Sequence, residues 1–183
     1  ITRAGRRYFD VNVTFVDLET DTGIQLDLVD PSQLGADRIV NAVAAHAMFE
    51  TSCLIVDFGT ATTFDLVSRD GVYKGGVIAP GIGISLDALT QRASKLPRVE
   101  IQKPEQVVGR TTIAAMQSGI VYGYVGLVDG LVQRITDEQD EPLEVVGTGG
   151  FAGLIAQESR FLEHVEPFLT LEGLRLIHAR IAP

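Results

Sequence analysis

The residues of this chain most suited to chemistry lie in the segment 57–63, which reads Asp-Phe-Gly-Thr-Ala-Thr-Thr. It follows an apolar run at 53–56, so a buried strand is predicted to end on the carboxylate of Asp57. An aspartate at a strand tip can hold a cation, and Gly59 lets another group approach the backbone closely. Threonine hydroxyls and turn amides donate to phosphate oxygens. The segment therefore indicates a phosphate site; the alternative is a tight hairpin whose threonines favour β-structure.

A second segment with chemical potential is Gly-Ala-Asp-Arg at 35–38, in the predicted first turns of a helix. Asp37 could act as a base beside Arg38, because a guanidinium binds carboxylate or phosphate in a bidentate manner. The alternative is an aspartate favoured by the helix dipole next to a solvated arginine. The residues alone leave both interpretations open, and the second is the simpler.

Two glycine-rich segments accompany these residues. Gly-Thr-Gly-Gly at 147–150 follows a predicted strand, where close backbone approach and a helix N-terminus suit a nucleotide. Such turns are common after strands, so this signal is weak by itself. The segment 75–81 (Gly-Gly-Val-Ile-Ala-Pro-Gly) is interpreted as structural, or as the lining of a pocket.

The elements that position these residues are predicted from periodicity and turn signals. Asp30 is expected to cap a helix that has Pro31 at its first position and runs to about Phe49. The Asp70-Gly71 pair predicts a hairpin turn within an antiparallel meander. The remaining expectations are strands at 11–18, 24–29, 53–58, 61–68, 72–79 and 143–146; helices after 81, at 111–137, through 155 and at 170–181; and an irregular stretch at 98–110. The fold class is therefore α/β, with a mixed sheet built on an antiparallel meander and flanked by helices.

The long helix carries four glycines, Gly119, Gly123, Gly126 and Gly130, at steps that place them on one face. A glycine inside a helix costs about 1 kcal/mol relative to alanine, so this glycine stripe implies a compensating close contact. The contact is expected either with the sheet of the same subunit or across a dimer interface.

Composition limits the classes of function. A chain of 183 residues is near the size of one large domain, and its net charge of −9 argues against nucleic acid as a partner. No apolar run is long enough to span a bilayer, so no membrane partner is expected. A single cysteine, Cys53, and three histidines without ligand spacing predict neither disulfides nor a multi-cysteine metal site, and a cytoplasmic location is expected.

Taken in order, the motifs resemble those of the type III pantothenate kinases, members of the superfamily of acetate and sugar kinases, heat-shock chaperone ATPases and actin. The resemblance runs from about residue 23 to the C-terminus and includes six segments: 35–42, 57–63, 75–81, 116–119, 147–150 and 171–174. It implies an actin-like (ribonuclease H-like) ATPase domain. The implied activity is ATP-dependent phosphorylation of pantothenate to 4′-phosphopantothenate, the first step of coenzyme A biosynthesis, by a homodimer.

Individual roles are implied by the same resemblance. Asp37 corresponds to the general base, and Asp57 to the ligand of an activating K⁺ or NH₄⁺ ion, with Mg²⁺ accompanying ATP. Thr112 corresponds to a pantothenate contact, although many relatives carry asparagine where Thr111 stands. The other implied contacts are to pantothenate from Gly35, Ala36, Asp37 and Arg38, and to ATP from Gly59, Thr60 and Gly149.

One departure from the family is serious, because its first phosphate loop, Asp-x-Gly-Asn-Thr, does not occur in this sequence. We therefore expect a fragment that is inactive by itself, with the function belonging to the parent protein. The expected domains are a remnant of the N-terminal ATPase-like domain at 1–30 and the C-terminal ATPase-like domain at 31–183. Two alternatives remain: a non-catalytic relative acting as a transcription accessory factor, and a kinase of the same superfamily with another small substrate.

Overall fold

The computed structural model describes residues 1–93 and 95–182 as a sequence of short N-terminal turns, strands and helices. The α-helices are α1 (Thr2–Ala4), α2 (Ala36–Met48), α3 (Ile82–Arg92), α4 (Thr112–Asp137), α5 (Ala152–Ala156) and α6 (Leu169–Ile181). A π-helix spans Gly5–Phe9 and a 3-10 helix spans Pro31–Gln33. The strands are β1 (Gln25–Leu26), β2 (Cys53–Phe58), β3 (Ala61–Val67), β4 (Val72–Pro80), β5 (Glu144–Gly149) and β6 (His164–Val165).

The strands form one mixed sheet in the order β1-β4-β3-β2-β5-β6. Strands β2, β3 and β4 are antiparallel neighbours, whereas β5 pairs with β2, β6 with β5, and β1 with β4 in parallel. Gly71 closes the β3–β4 hairpin at a φ of 73°, with its N–H 2.9 Å from the Ser68 carbonyl oxygen. The predicted meander, its turn and the α/β class are confirmed.

Helices cover both faces of the sheet, and the alternation of side chains along β2 separates two apolar layers. Leu54, Val56 and Phe58 pack with α3, α4 and α5. Cys53 and Ile55 pack with α2 and the start of α6. Because side chains alternate, Asp57 at the end of β2 lies on the α2 face.

Two expected strands before α2 differ in the structure. Residues 11–18 form no strand, and the side chains of Val11, Phe15 and Leu18 are exposed, since this segment has no strand partner among the described residues. The strand expected at 24–29 contracts to Gln25–Leu26, the part that pairs with β4. The apolar residues at 11–18 therefore predicted a strand wrongly, because no neighbouring strand in the described part of the chain supplies the hydrogen bonds that a strand needs.

The helix start was also placed too early. Asp30 caps as expected, accepting the Ser32 N–H at 3.1 Å, but it caps only the 3-10 turn Pro31–Gln33. Gly35 is the N-cap of α2, which begins at Ala36. The segment 147–149, expected to be a turn, is the end of β5, because parallel pairing with β2 continues to Phe58 and Gly149.

Helix α4 confirms the longest predicted helix, with the Thr111 hydroxyl accepting the Ala114 N–H at 3.1 Å as its N-terminal cap. Its glycine stripe is open: a Cβ built at Gly119, Gly123 or Gly126 would meet nothing within 4 Å. At Gly130 such an atom would approach only the Arg134 side chain, at 3.3 Å. The sheet of the same chain therefore does not cover the stripe. No helix within the described ranges is long and apolar enough to cross a membrane.

Candidate functional site

The centre of the candidate site is the carboxylate of Asp57, which lies near the C-terminal end of the interior strand β2, on the α2 face of the sheet. Its Oδ2 accepts a hydrogen bond at 3.0 Å from Nδ2 of Asn41, a buried residue of α2. Oδ1 of the same amide accepts a hydrogen bond at 2.7 Å from the hydroxyl of Thr170 in α6. Strand β2 and helices α2 and α6 thus fix the orientation of one aspartate side chain.

The surroundings of Asp57 raise the pKa of its carboxyl group. Burial is the largest cause, and the hydrogen bond from Asn41 opposes it. The negative charges of Asp37 and Asp65 raise the pKa further. A positive charge beside Asp57 would oppose this rise in pKa.

The other carboxylate oxygen of Asp57, Oδ1, faces two glycines, whose backbone carries no side chain. A Cβ at Gly149 would lie 2.7 Å from this oxygen and 2.7 Å from the Phe58 carbonyl oxygen, and the φ of Gly149 is 86°. A Cβ at Gly59 would lie 3.7 Å from the same carboxylate oxygen. Glycine is therefore required at 149, and the absence of side chains leaves oxygen atoms open to a small ligand.

Thr60 occupies the exposed β2–β3 turn next to this oxygen cluster. The turn is closed by the Gly59 N–H bonding to the Ala61 carbonyl oxygen at 3.0 Å. The Thr60 carbonyl accepts the Gly81 N–H at 3.1 Å, so the turn contacts the start of α3. The hydroxyl of Thr60 makes no hydrogen bond to the residues that the structure describes, which leaves it available for a phosphate oxygen.

Asp37 and Arg38 lie in the first turn of α2, as predicted, but in different environments. Asp37 is exposed, and its Oδ1 accepts the backbone N–H of Arg38 at 3.0 Å. The Arg38 side chain is only 15% exposed, and its Nε and Nη2 each lie 2.7 Å from Oδ1 of Asp65 in β3. The interpretation of Arg38 as a solvated side chain is therefore wrong. Burial works to lower the pKa of Arg38, but the hydrogen bond and charge of Asp65 outweigh it and raise that pKa.

Thr112 lies apart from this cluster. It lines an apolar cavity of about 450 Å³ with Leu89, Leu96, Met116 and Gly119, between α3 and α4. Those helices cover the opposite face of the sheet from α2. Within one chain, the structure does not bring Thr112 to Asp37.

Sequence reasoning missed Asn41, Thr170, Asp65 and Tyr73. Two of them are polar residues at apolar positions: Asn41 lies within the apolar periodicity of α2, and Asp65 lies between Phe64 and Leu66 in a strand. A polar side chain where the pattern demands an apolar one was the available signal, since buried polar groups need partners. In residues 1–93 and 95–182, no three His, Cys, Asp or Glu side chains converge as a multi-ligand metal site would require.

Comparison with known proteins relates the chain to one family. The family model described as type III pantothenate kinase matches residues 1–134. A type III pantothenate kinase of Desulfosudis oleivorans is 56% identical over 173 residues, covering 94% of this chain and 68% of the relative. The corresponding enzyme of Myxococcus xanthus is 52% identical over 180 residues, covering 98% of this chain and 70% of the relative.

Solved structures agree on the fold. A protein from Campylobacter jejuni described as a Baf family transcriptional activator superposes with a TM-score of 0.58 at 21% identity, covering 86% of this chain and 69% of its own. A protein from Sinorhizobium meliloti described as a 2-dehydro-3-deoxygalactonokinase superposes with a TM-score of 0.56 at 13% identity, covering 81% of this chain and 60% of its own. At these identities the likeness concerns the fold alone.

Proposed function

Because this chain belongs to the type III pantothenate kinase family, we propose that its protein transfers the γ-phosphate of ATP to pantothenate. The product is 4′-phosphopantothenate, and the reaction begins coenzyme A biosynthesis. One observation carries the proposal: an exposed carboxylate, Asp37, lies beside the fixed guanidinium of Arg38 and close enough to the partly buried carboxylate of Asp57 to raise the pKa of that group.

Asp37 is the proposed general base. Its carboxylate is exposed, with Oδ1 engaged by the Arg38 N–H and Oδ2 making no hydrogen bond to the described residues. That oxygen can accept the proton of the pantothenate hydroxyl as the hydroxyl oxygen attacks the γ-phosphorus atom. Gly35, Ala36 and Arg38 complete the proposed pantothenate segment. A Cβ at Gly35 would lie 2.5 Å from Oδ1 of Asp37, so glycine is needed there to leave the carboxylate its position.

Asp57 is the proposed ligand of a monovalent cation, K⁺ or NH₄⁺. The residues fit such an ion, since Oδ1 of Asp57 is not held by Asn41 and the Phe58 carbonyl oxygen lies beside the same glycine. Asp37 and Asp65 lie near the Arg38 guanidinium, and both also act on the charge of Asp57, so three carboxylates with one guanidinium would repel the phosphates of ATP. A bound cation would supply the positive charge that offsets this repulsion, in addition to the Mg²⁺ that accompanies ATP.

The proposed ATP contacts are Gly59, Thr60 and Gly149. The first two belong to the β2–β3 turn and the third ends β5, the parallel neighbour of β2. The threonine hydroxyl is a donor suited to phosphate oxygens, and the two glycines let a phosphate approach the backbone closely. Mg²⁺ would arrive with the nucleotide.

The proposed assembly is a homodimer. The open glycine stripe of α4 and the apolar cavity at Thr112 lie on one helix, and neither is covered by the described part of the chain. Thr112 lies on the other face of the sheet from Asp37, so a second subunit would have to bring a Thr112 to the pantothenate site.

We also propose that the chain divides into an N-terminal remnant (1–30) and a C-terminal ATPase-like domain (31–183), and that the protein is located in the cytoplasm.

The deciding experiment is a phosphorylation assay on the intact protein with pantothenate, ATP and Mg²⁺, with and without K⁺. Mass spectrometry should detect 4′-phosphopantothenate, in an amount that depends on pantothenate concentration. Asp37→Asn serves as the inactive control. ATP hydrolysis without phosphopantothenate would contradict the proposal and favour another acceptor.

A further inference from the structure

The guanidinium of Arg38 is held along one edge only. Its Nε and Nη2 both lie 2.7 Å from the same oxygen, Oδ1 of Asp65. The remaining nitrogen, Nη1, makes no hydrogen bond to any residue in 1–93 or 95–182. A planar guanidinium with one occupied edge can still present donors to a second anion.

The Asp65 carboxylate is held by hydrogen bonds from two hydroxyl groups in addition to its ion pair with Arg38. Its side chain is completely buried in β3. The hydroxyl of Tyr73, from β4, donates to Oδ1, and the hydroxyl of Thr63 donates to Oδ2 at 3.0 Å. Tyr73 is 1% exposed, and its ring lies 5.9 Å from the guanidinium carbon of Arg38. The carboxylate therefore has no freedom to follow a moving arginine.

Strand β4 makes room for this arrangement. A Cβ at Gly76 would overlap the Phe64 carbonyl oxygen and lie 2.7 Å from Nη2 of Arg38. Glycine at this position lets the guanidinium lie directly against the sheet. The meander thus supplies a threonine and a tyrosine that hold Asp65 and a glycine that leaves space for Arg38.

The held arginine is adjacent to the proposed base. Arg38 directly follows Asp37 in the first turn of α2, and its backbone N–H bonds to the Asp37 carboxylate. A loosely held guanidinium at this point would collapse onto the neighbouring carboxylate, because Asp37 is exposed and negatively charged. Anchoring on Asp65 prevents that collapse.

We propose that Asp65 is a positioning residue for Arg38. Hydrogen bonds from Tyr73 and Thr63 fix the Asp65 carboxylate, and this carboxylate holds one edge of the Arg38 guanidinium. The other edge is thereby free to bind an anionic oxygen of the substrates beside Asp37. This inference rests on the proposed function. The anionic oxygen belongs either to the pantothenate carboxylate or to an ATP phosphate. Weakening the hold on Arg38 should raise KM for pantothenate in the first case and KM for ATP in the second.

The test uses Tyr73→Phe in the intact protein, which removes only the hydroxyl that grips Asp65. The matched control is Tyr124→Phe, another buried tyrosine, whose hydroxyl lies 2.9 Å from the Pro80 carbonyl oxygen on the opposite face of the sheet. Tyr73→Phe should raise KM for pantothenate or for ATP about three- to tenfold, with a smaller change in kcat, because one hydrogen bond to a charged group is lost. Tyr124→Phe should lower Tm to a similar extent and leave both KM values unchanged.

Arg38→Lys extends the test. A lysine retains the charge and can reach Asp65, but its single nitrogen cannot serve Asp65 and a substrate oxygen with two separate edges. It should therefore raise the same KM as Tyr73→Phe, by at least as much, in a protein that still folds. A Tyr73→Phe variant that differs from the wild type in Tm alone, as Tyr124→Phe does, would overturn the proposal.

A second measurement separates this inference from the proposed function. The Nε–H of an arginine bonded to a buried carboxylate exchanges slowly and gives its own nuclear magnetic resonance signal. That signal of Arg38 should be sharp in the wild type and in Tyr124→Phe, and broadened or shifted in Tyr73→Phe. If the wild type does not phosphorylate pantothenate, the proposed function fails, and this signal still decides the positioning role: no change in Tyr73→Phe refutes it.

Discussion

The side-chain amide of Asn41 donates to Oδ2 of Asp57 across 3.0 Å. Because the Thr170 hydroxyl donates to the other end of the same amide at 2.7 Å, the amide cannot rotate without losing a buried hydrogen bond. One oxygen of Asp57 is thus occupied by the protein, and the other is left facing Gly59 and Gly149. The Asp57 carboxylate is therefore fixed in orientation and does not rotate freely.

The first prediction concerns stability and pH. Burial raises the pKa of Asp57, so the folded chain binds a proton there more readily than the unfolded chain does. The free energy of unfolding therefore falls as pH rises from the ordinary aspartate pKa through the raised value. Without added K⁺, Asp57→Asn should raise Tm at about pH 7 and give no advantage at about pH 3, below both pKa values. Circular dichroism melting measures this, with the exposed Asp140→Asn as control; a lower Tm for Asp57→Asn at neutral pH would count against it.

The second prediction concerns the cation. If Asp57 holds K⁺, phosphorylation of pantothenate should increase with K⁺ and be largely absent in Na⁺ at the same ionic strength. Asp57→Ala should abolish the dependence together with most of the activity, because the phosphates then meet uncompensated carboxylates. Initial rates in matched KCl and NaCl series provide the measurement. Equal rates in the two salts would remove the cation from Asp57.

The third prediction concerns the base. Asp37→Asn should lower kcat by about 10²–10⁴-fold, the usual contribution of a general base. The fold should remain intact, since Gly35 and not Asp37 is the N-cap of α2. Steady-state kinetics and the melting curve should be compared with those of Asp140→Asn, a neutralised carboxylate in an exposed loop. Near-normal turnover in Asp37→Asn would leave Asp37 only a helix-start role.

The fourth prediction concerns close packing at β4. Gly76→Ala should lower the free energy of unfolding by about 1–3 kcal/mol, because the methyl group would overlap the Phe64 carbonyl oxygen and crowd Arg38. The matched control is Gly83→Ala in α3, where a Cβ would meet nothing within 4 Å. That change should be neutral or stabilise by up to about 1 kcal/mol. Urea unfolding of both variants gives the comparison, and equal stabilities would mean that the sheet adjusts at Gly76.

The fifth prediction concerns assembly. Gly123→Leu should shift the protein from dimer to monomer and weaken pantothenate binding, because the leucine would fill the open stripe of α4. Gly153→Leu makes the same change at an open glycine of α5 and should leave the dimer intact. Analytical ultracentrifugation reports the mass, and calorimetry the affinity. A Gly123→Leu dimer of unchanged stability would place the interface elsewhere.

Turn and capping residues in the sequence predicted the meander and the long helix. The elements that were missed or misplaced depend on pairing between strands that are distant in the sequence. Asp70-Gly71 and the Thr111 cap each act within a few residues, so both were visible in the sequence. Strand β6 has two residues and, among the described strands, pairs only with β5, which leaves no periodicity to detect, and the extent of β1 is set by its pairing with β4 and not by its own sequence.

The candidate site divides in the same way. Asp37 and Asp57 stand in recognisable segments, whereas Asp65 is significant because a sheet brings it to Arg38, 27 positions away in the sequence. The sequence marks Asp70 as a turn residue, but it does not show which partner Asp65 has. The register of β3 with β4 places Asp65 beside Tyr73 and leaves Asp70 in an exposed turn.

The position of β2 between an antiparallel and a parallel neighbour has a consequence for the order in which the site forms during folding. Its contact with β3 closes a two-residue turn, whereas its contact with β5 must wait for a loop that includes α3 and α4. Closing a long loop costs more chain entropy, so local hairpins form on a faster timescale than distant parallel pairs. We therefore expect the Thr60 turn to form early and Gly149 to reach Asp57 late. The oxygen atoms of Asp57 and Phe58 and the backbone of Gly149 are thus expected to come together only after the β2–β3 hairpin has formed.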